Sequence, residues 1–478
     1  MKVLPDALQD FFTPRTTRSQ RVFSPWEGPV ITTSNPGFDL DAVVRCRVEE
    51  EDALDAYDPF GQSPLSSPPS TPCISRVPSP NADPLTEPPP STPATLHPTD
   101  ASTSQTHSKS RNNRKRKRRE TKAEHNSSLH QDVPPRLRSK HTHATEPLVT
   151  AFDIDDAPHA SSGYIGLVEE SWKREHTLDE LTGPKFNFRH YGWQGRVATP
   201  IVDQQGRVIA VLAGHPDDPD WDSVHNEAAE ALETLRPKCK LAQEQRKHRR
   251  GRFGALSYGI SYGGGQTHPQ NLHHNDANTS VPLTLVNCIA FMRLAAFGSS
   301  AFATWAPRTF AYYATHLHAL LLHDASLIRN WLSSIFAAAT FNFGPRTCCF
   351  RHTDSGNLPF GWCVITALGN FNPQRGGHLV LWDLKLVIDF PPSSSILIPS
   401  AILSHSNTKI GKGERRYSFT QYSAGGLFRW VDYGFRSSEE YRASLQGEEL
   451  IRAEEECAAR WSMGLDMFST LDELRTST

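Results

Sequence analysis

Two stretches decide the fold: TCCFRHTDSGNLPFGWCVITALG (residues 347–369) and RRYSFTQYSAGGLFRWVDYGF (residues 415–435). The apolar runs between them are short and separated by turn residues such as Asn372-Pro373, Gly376-Gly377 and Pro391-Pro392, which predicts several short strands. Antiparallel strands that return the chain to its starting edge are typical of a double-stranded β-helix, or jelly roll, with two facing sheets and a site in the mouth. With helical segments around it, the pattern predicts an α+β fold on a jelly-roll core, flanked by α-helices.

The first stretch contains a His-x-Asp pair, His352 and Asp354, and His405 follows roughly fifty residues later. Residues i and i+2 of a strand point to the same side, so His352 and Asp354 can face one metal ion. Two histidines and one carboxylate in this order are the ligands of mononuclear iron(II) sites that leave open positions for a keto acid and O2. The alternative is a chance histidine pair on a β-sandwich. A second match, His274 to Asp276, lies in a polar run and is interpreted as a solvated loop.

An arginine in the second stretch would complete such a site. A 2-oxoglutarate co-substrate has a distal carboxylate, which a guanidinium binds through two parallel hydrogen bonds. If Arg416 faces inward, so do the small Ser418 and Thr420, which leave room for a ligand. If Arg415 faces inward, two aromatic residues come with it and fill the interior. Arg416 is therefore favoured, with Arg415 as the alternative.

The block HTDSGNLPFGWCVITALG…RRYSFTQYSAGGLFRW resembles the fungal branch of the TET/JBP dioxygenases, over roughly residues 165–435. The resemblance implies iron(II) held by His352, Asp354 and His405, 2-oxoglutarate clamped by Arg416, and ascorbate as the reductant. It also implies oxidation of 5-methylcytosine or a related base in DNA, with methylated duplex DNA as the partner. The sequence lacks the low-complexity insert and the cysteine-rich zinc region of the animal members.

A methyl group in duplex DNA is reached only when its nucleotide is flipped out of the stack. Trp362, Phe428 and Trp430 are candidates for aromatic groups that sandwich the base, and core packing is the alternative for each. Asn357 could hydrogen-bond the base or the co-substrate, and a plain Asx-turn is its alternative.

Composition divides the chain into four parts. Residues 1–150 are a Pro/Ser/Thr-rich segment predicted to be disordered, with a basic patch at 111–119 that favours nuclear localisation, phosphate binding or both. Its alternative is a solvated charge block. Residues 160–250 are the N-terminal α/β part of the catalytic region, 251–435 hold helices and the jelly roll, and 436–478 form an acidic helix with Ser437 or Ser438 as its cap.

Within these parts, two runs around residues 203–206 predict a hairpin, residues 221–236 a helix, and 281–338 helices outside the barrel. The basic run 238–254 is interpreted as an exposed helix surface or a nucleic-acid-facing edge. His316, His318 and His323 are expected to be ordinary helix residues, because no acidic partner stands at a useful spacing.

Global composition excludes some classes. The net charge is −2, so any attraction to nucleic acid is local. The eight cysteines show no CxxC spacing, which predicts a reducing compartment, and no apolar run is long enough for a membrane span. Two alternative functions stay open: a 2-oxoglutarate-dependent hydroxylase of RNA, protein or a small molecule, and a catalytically inactive nuclear scaffold. The oligomeric state is not predicted.

Overall fold

The structure is a computed structural model that describes residues 15–16, 22–23, 133, 135–143, 145–168 and 173–476. The chain divides into two units, Met1–Cys46 and Arg47–Thr478. In the first, strand β1 (Arg15–Thr16) pairs antiparallel with β2 (Val22–Phe23). Most of the predicted Pro/Ser/Thr-rich tail, with its basic patch at 111–119, lies outside the described residues.

The strands of the second unit are β3 (Leu148–Val149), β4 (Arg189–Tyr191), β5 (Thr199–Val202), β6 (Val208–Gly214), β7 (Ala255–Ser261), β8 (Gln270–Asn271), β9 (Ala338–Asn342), β10 (Cys363–Asn370), β11 (Leu379–Leu381), β12 (Leu386–Ile388), β13 (Ser395–Ile398), β14 (His405–Asn407) and β15 (Arg415–Tyr422). Its α-helices are α1 (Pro135–His143), α2 (Leu178–Thr182), α3 (Trp221–Leu235), α4 (Gln243–Arg246), α5 (Asp276–Val286), α6 (Ile289–Trp305), α7 (Pro307–His323), α8 (Gly425–Asp432), α9 (Ser438–Ala443), α10 (Glu448–Leu465) and α11 (Leu471–Thr476). Short 3-10 helices cover Ile154–Asp156 and Arg236–Lys238.

The strands form two sheets. The large sheet has the order β3-β5-β6-β13-β10-β15-β9-β7-β8, and the small sheet has the order β14-β11-β12-β4. One hydrophobic cluster contains Ile396 and Leu397 of the large sheet together with Leu379 and Leu386 of the small sheet, so the sheets share a core. Helices and sheets in one unit confirm the α+β class.

Helices cover the large sheet. Phe291 of α6 packs edge-to-face on Phe341 of β9 and on Phe419 of β15, and Trp221 of α3 belongs to the same cluster. Phe302 of α6 belongs to the cluster shared by the two sheets, so α6 lies between two buried surfaces. A helix in this position is apolar on most of its sides. Among the described residues no single helix could cross a membrane, although α5 and α6, bent by 63°, meet the length and composition test as a pair.

Several sequence predictions need their boundaries changed. The hairpin is confirmed as β5 and β6, and helix α3 follows, with Asp220 in the N-cap position instead of Asp222 or Ser223. Helix α7 ends at His323, so the prediction of helix up to Ala338 is wrong beyond that residue. The apolar side chains there pack in an irregular loop, where the Trp331 indole donates to the Val286 carbonyl at 2.8 Å.

The two ends of the second unit also differ from expectation. The acidic segment forms two helices, α9 and α10, because Gly447 between them has φ +53. Ser437 caps α9 through a capping box, as one of the two predicted candidates. Helix α1 and strand β3 lie before residue 150, within the segment predicted to be a tail. Helix α1 is polar and is held by hydrogen bonds, such as that from Thr142 Oγ1 to Leu474 O at 3.4 Å. The hydropathy of the sequence does not reveal such bonds, so this segment is predicted from the sequence to be disordered.

Candidate metal centre

The three predicted ligands come together. His352 and His405 form an antiparallel bridge in which each backbone N–H donates to the other's carbonyl, at 3.1 and 2.9 Å. The Asp354 N–H donates to Ser400 O at 2.8 Å, which ties the His-x-Asp segment to the chain before β14. Asp354 Oδ1 lies 3.8 Å from His352 Nε2, and Oδ2 lies 3.9 Å from His405 Nε2. All three ligand atoms lie within 4.8 Å of one another, so one metal ion could contact them all.

The hydrogen bonds of the two imidazoles fix which nitrogen faces the centre. His352 Nδ1 lies 2.7 Å from the Phe350 carbonyl, and His405 Nδ1 lies 2.9 Å from the Leu403 carbonyl. A carbonyl only accepts, so each Nδ1 carries the proton and each Nε2 keeps a lone pair directed at Asp354. Burial lowers the pKa of His352 and of His405, which keeps both rings neutral. Neutral imidazoles with free Nε2 atoms are in the state that a metal requires.

Asp354 stays ionised in this buried place. Burial by itself would raise the pKa of its carboxyl group, but Arg250 and then the two histidines hold that pKa well below its usual range. The Arg250 Nε lies 3.5 Å from Asp354 Oδ1, and that oxygen accepts no hydrogen bond within the described part of the chain. Two neutral imidazoles and one carboxylate fit a divalent first-row cation such as iron(II).

Two arginines beside the centre were missed by sequence reasoning. They belong to the basic run 238–254, which forms only the short helix α4 and a turn instead of the expected exposed helix. The turn sends Arg249 Nη1 to the Thr353 carbonyl at 3.1 Å and places Arg250 beside Asp354. The Phe350 N–H donates to Arg250 O at 2.7 Å, which fixes the turn to the metal-binding segment. A run of basic residues carries no signal of which one turns inward.

The structure orients the two consecutive arginines of β15 oppositely. Arg416 is 1 % exposed, and its guanidinium lies between the rings of Phe371 and Phe390, with Cζ-to-centroid distances of 5.6 and 5.7 Å. Its Nη1 donates to Thr347 O at 2.6 Å, whereas Nε and Nη2 have no hydrogen-bond partner among the described residues. The Arg415 side chain is 59 % exposed and reaches Glu233 at 3.4 Å. Arg416 is thus the inward residue, as favoured from the sequence.

The candidate substrate residues have other contacts. Trp362 is 1 % exposed and stacks on Phe302 with ring centroids 5.8 Å apart, and Phe428 is 3 % exposed and stacks on Tyr312 at 5.5 Å. Both side chains pack in the core, which favours the alternative left open by the sequence.

The other two candidate substrate residues, Trp430 and Asn357, also contact neighbouring protein groups. Trp430 is partly buried and lies edge-on to Tyr262 at 5.2 Å. Asn357 donates its backbone N–H to Asp354 O at 2.9 Å and its amide Nδ2 to Ser400 Oγ at 3.1 Å. These bonds are those of a turn that braces the metal-binding segment.

Two other histidine patterns in the sequence, His316 and the His274–Asp276 match, make contacts within the protein. His316 is a residue of α7, as expected, although an acidic partner does exist: its Nε2 lies 2.8 Å from Asp432 Oδ1. The second His-x-Asp match begins in a partly exposed loop, as predicted, and ends at the first residue of α5. Asn275 is the N-cap of α5, and His274 Nε2 contacts the Ser257 carbonyl at 2.6 Å.

Comparisons with known proteins complete the description. No protein-family model matches the sequence, and no curated protein matches it. Among solved structures, the chain is similar to NgTET1, from Naegleria, in complex with 5mC DNA. The sequence identity is 16 % and the TM-score 0.37, and the match covers 50 % of this chain and 84 % of that one.

Proposed function

We propose that this protein is an iron(II)- and 2-oxoglutarate-dependent dioxygenase that oxidises the methyl group of 5-methylcytosine, or a related base, in DNA. The observation that carries the proposal is a buried His352–Asp354–His405 centre together with the buried Arg416 guanidinium, two of whose nitrogen atoms have no hydrogen bond to any residue that the structure describes. A facial set of two histidines and one carboxylate leaves coordination positions open for a bidentate keto acid and O2.

Arg416 fits the role of co-substrate clamp. A buried guanidinium with free N–H groups is costly unless an anion satisfies it, and a carboxylate does so with two parallel hydrogen bonds. Arg416 Nη1 donates to the carbonyl of Thr347, five residues before the first ligand His352, at 2.6 Å. The guanidinium is therefore held against the start of the segment that carries His352 and Asp354.

Each residue of the centre has a defined task in this reaction. The two Nε2 atoms and the Asp354 carboxylate would hold the iron, and the carbonyls of Phe350 and Leu403 keep the imidazoles oriented. Bound iron with 2-oxoglutarate supplies oxidation of a substrate C–H bond by O2, with succinate and CO2 as co-products, and ascorbate keeps the iron reduced. Arg250 offsets the charge of Asp354, and the low exposure of the ligands excludes bulk water.

The strand topology supports the prediction that the two sheets form a jelly roll. His405 begins β14 of the small sheet, whereas Arg416 lies on β15 of the large sheet. A metal ligand from one sheet and a co-substrate arginine from the other, around one shared core, correspond to a site at the mouth of a two-sheet barrel.

The substrate is supported by the resemblance of the HTDSGN…RRYSFTQYSAGGLFRW block to the TET/JBP dioxygenases. The basic patch at 111–119 would attract the DNA backbone and direct the protein to the nucleus. A 5-methylcytosine in duplex DNA would have to be flipped out of the stack before its methyl group could reach the iron.

The test uses the full chain with iron(II), 2-oxoglutarate, ascorbate and a methylated DNA duplex. Nucleosides are quantified by mass spectrometry, and succinate is measured in the same reaction. His352→Ala removes an iron ligand, and His268→Ala is the matched control because His268 is exposed and is not one of the clustered ligands. We expect 5-hydroxymethylcytosine with the unchanged chain and with His268→Ala, and none with His352→Ala.

Two outcomes contradict different parts of the proposal. Succinate that forms without a modified base retains the oxygenase and refutes the DNA substrate, and oxidation of RNA, protein or a small molecule is then sought. Absence of both products, with iron bound no better than by His352→Ala, refutes the enzyme and supports the scaffold.

A further inference from the structure

A second cluster of two histidines and one aspartate lies on the small sheet, apart from the proposed iron centre. His190 is on β4, Asp389 follows β12, and His378 precedes β11. Strand pairing explains the cluster: β4 and β12 are parallel with His190 beside Val387, and β11 and β12 are antiparallel with Leu379 opposite Ile388. One more step of that register places His378 opposite Asp389. Three neighbouring strands thus deliver one side chain each to the same end of the sheet.

The side chains of this cluster are in contact. Asp389 Oδ1 lies 2.6 Å from His190 Nε2 and 3.3 Å from His378 Nε2, and the two rings are 5.7 Å apart. The three ligand atoms lie within 4.8 Å of one another, the same limit that the proposed iron ligands meet. His378 and Asp389 are buried, whereas the His190 side chain is 36 % exposed. One side of the cluster is therefore open to solvent.

One nitrogen atom of the cluster, His378 Nε2, has no hydrogen bond within the described part of the chain. The Nδ1 of His378 lies 2.6 Å from Thr408 Oγ1, and the same oxygen accepts the backbone N–H of His378 at 3.2 Å. Its Nε2 lies 3.3 Å from Asp389 Oδ1 and has no hydrogen bond among the described residues, although the side chain is 0 % exposed. A buried imidazole nitrogen without a hydrogen bond, beside a carboxylate, is an arrangement that a bound cation satisfies.

The cluster is separate from the proposed iron centre. Side chains alternate along a strand, so His378 shares a face with Val380, and Asp389 shares that face with Val387. Val380 and Val387 belong to a small hydrophobic cluster of their own, whereas Leu379 and Leu381 belong to the core shared by the sheets. His405 pairs with Leu381 and lies on that inner side. The two groups of ligands therefore occupy opposite faces of the small sheet.

We propose that His190, His378 and Asp389 bind a second divalent transition-metal cation, of the kind that zinc represents. Two imidazole nitrogens and a carboxylate oxygen are borderline ligands that suit Zn²⁺ better than Mg²⁺ or Ca²⁺. The open side next to His190 leaves a position for water or for an external ligand. The ion fastens the three-residue edge strand β4 to β11 and β12. This inference is independent of the proposed oxygenase activity.

The test counts bound zinc in the full chain after removal of metals by a chelator. Zn²⁺ is titrated in competition with a chromophoric chelator, and binding is compared among the unchanged chain, His190→Ala, His352→Ala and the double variant. We expect each single variant to bind one equivalent fewer than the unchanged chain, and the double variant to bind two fewer. His268→Ala, an exposed histidine outside both clusters, controls for general loss of a histidine.

A second pair of measurements excludes an effect of misfolding. Thr408→Val keeps the size of the side chain but removes the oxygen that orients His378, so it should weaken zinc binding at this site 10–100-fold. Cobalt(II) should give visible absorption that His190→Ala loses in part and His268→Ala retains in full. Equal zinc stoichiometry in the unchanged chain and His190→Ala, with circular dichroism showing both folded, would overturn the proposal.

Discussion

The buried Arg416 guanidinium has a consequence for stability that separates a ligand-binding arginine from a structural one. It is 1 % exposed, lies between the rings of Phe371 and Phe390, and makes one hydrogen bond among the described residues, to Thr347 O. Burial lowers the pKa of Arg416, which is the sign of an incompletely compensated charge. Methionine has a similar length and no charge. Arg416→Met should therefore leave the ligand-free protein as stable as before, or raise its free energy of unfolding by about 1–3 kcal/mol.

The response to co-substrate should change in the opposite direction. At a 2-oxoglutarate concentration of 100 times Kd, the unchanged protein gains about 2.7 kcal/mol of stability, which corresponds to a few degrees in Tm. Removing one partner of a buried charge pair costs about 2–5 kcal/mol of binding free energy, so Arg416→Met should gain less than about 1 kcal/mol at the same concentration. Greater stability without ligand and loss of the ligand response together identify Arg416 as the clamp.

Differential scanning calorimetry with iron(II), without O2 and with or without 2-oxoglutarate, measures both quantities. Arg415→Met is the matched control, because Arg415 is the preceding residue and is exposed. It loses only a surface contact with Glu233, worth less than about 1 kcal/mol, and should keep the full ligand response. An Arg416→Met protein that is destabilised and still stabilised by 2-oxoglutarate would refute this reasoning.

Three further predictions concern the surroundings of the site. Gly377→Ala should raise the KM for 2-oxoglutarate, since a Cβ there meets Phe371 at 2.7 Å and Arg416 at 3.2 Å; Gly206→Ala, with similar positive φ and open space, shows the effect of backbone strain alone. Burial lowers the pKa of His248 to about 4, so the neutral ring contributes at most about 3 kcal/mol to the free energy of unfolding, in full above pH 6.5 and progressively less as the pH falls towards 4. In urea titrations, the free energy of unfolding of His248→Gln should depend less steeply on pH than that of the unchanged chain, and an equal slope contradicts this. Asp432→Asn should lower the free energy of unfolding by about 1–3 kcal/mol, because its carboxylate accepts from two tyrosine hydroxyls; an unaltered urea midpoint would show that this network adds nothing.

Local sequence patterns determined the elements that carry the site. The period of two along a strand placed His352 and Asp354 together, and turn residues marked the ends of the short strands that lead to His405. The hairpin β5–β6 and the capping box at Ser437 were equally readable, because each depends on residues a few positions apart. Such features follow from backbone geometry that neighbouring residues impose on one another.

Tertiary packing decided everything that depends on which side of an element is buried. Alternation along β15 required Arg415 and Arg416 to face opposite ways, but the core on one side fixed which of them is inside. The same packing buried Trp362 and Phe428, turned Arg250 of a basic run towards Asp354, and extended the fold before residue 150. The contact of His190 with Asp389 joins residues 199 positions apart, so it exists only because β4 is laid beside β12. Nothing local links these residues, and only the folded sheet brings them together.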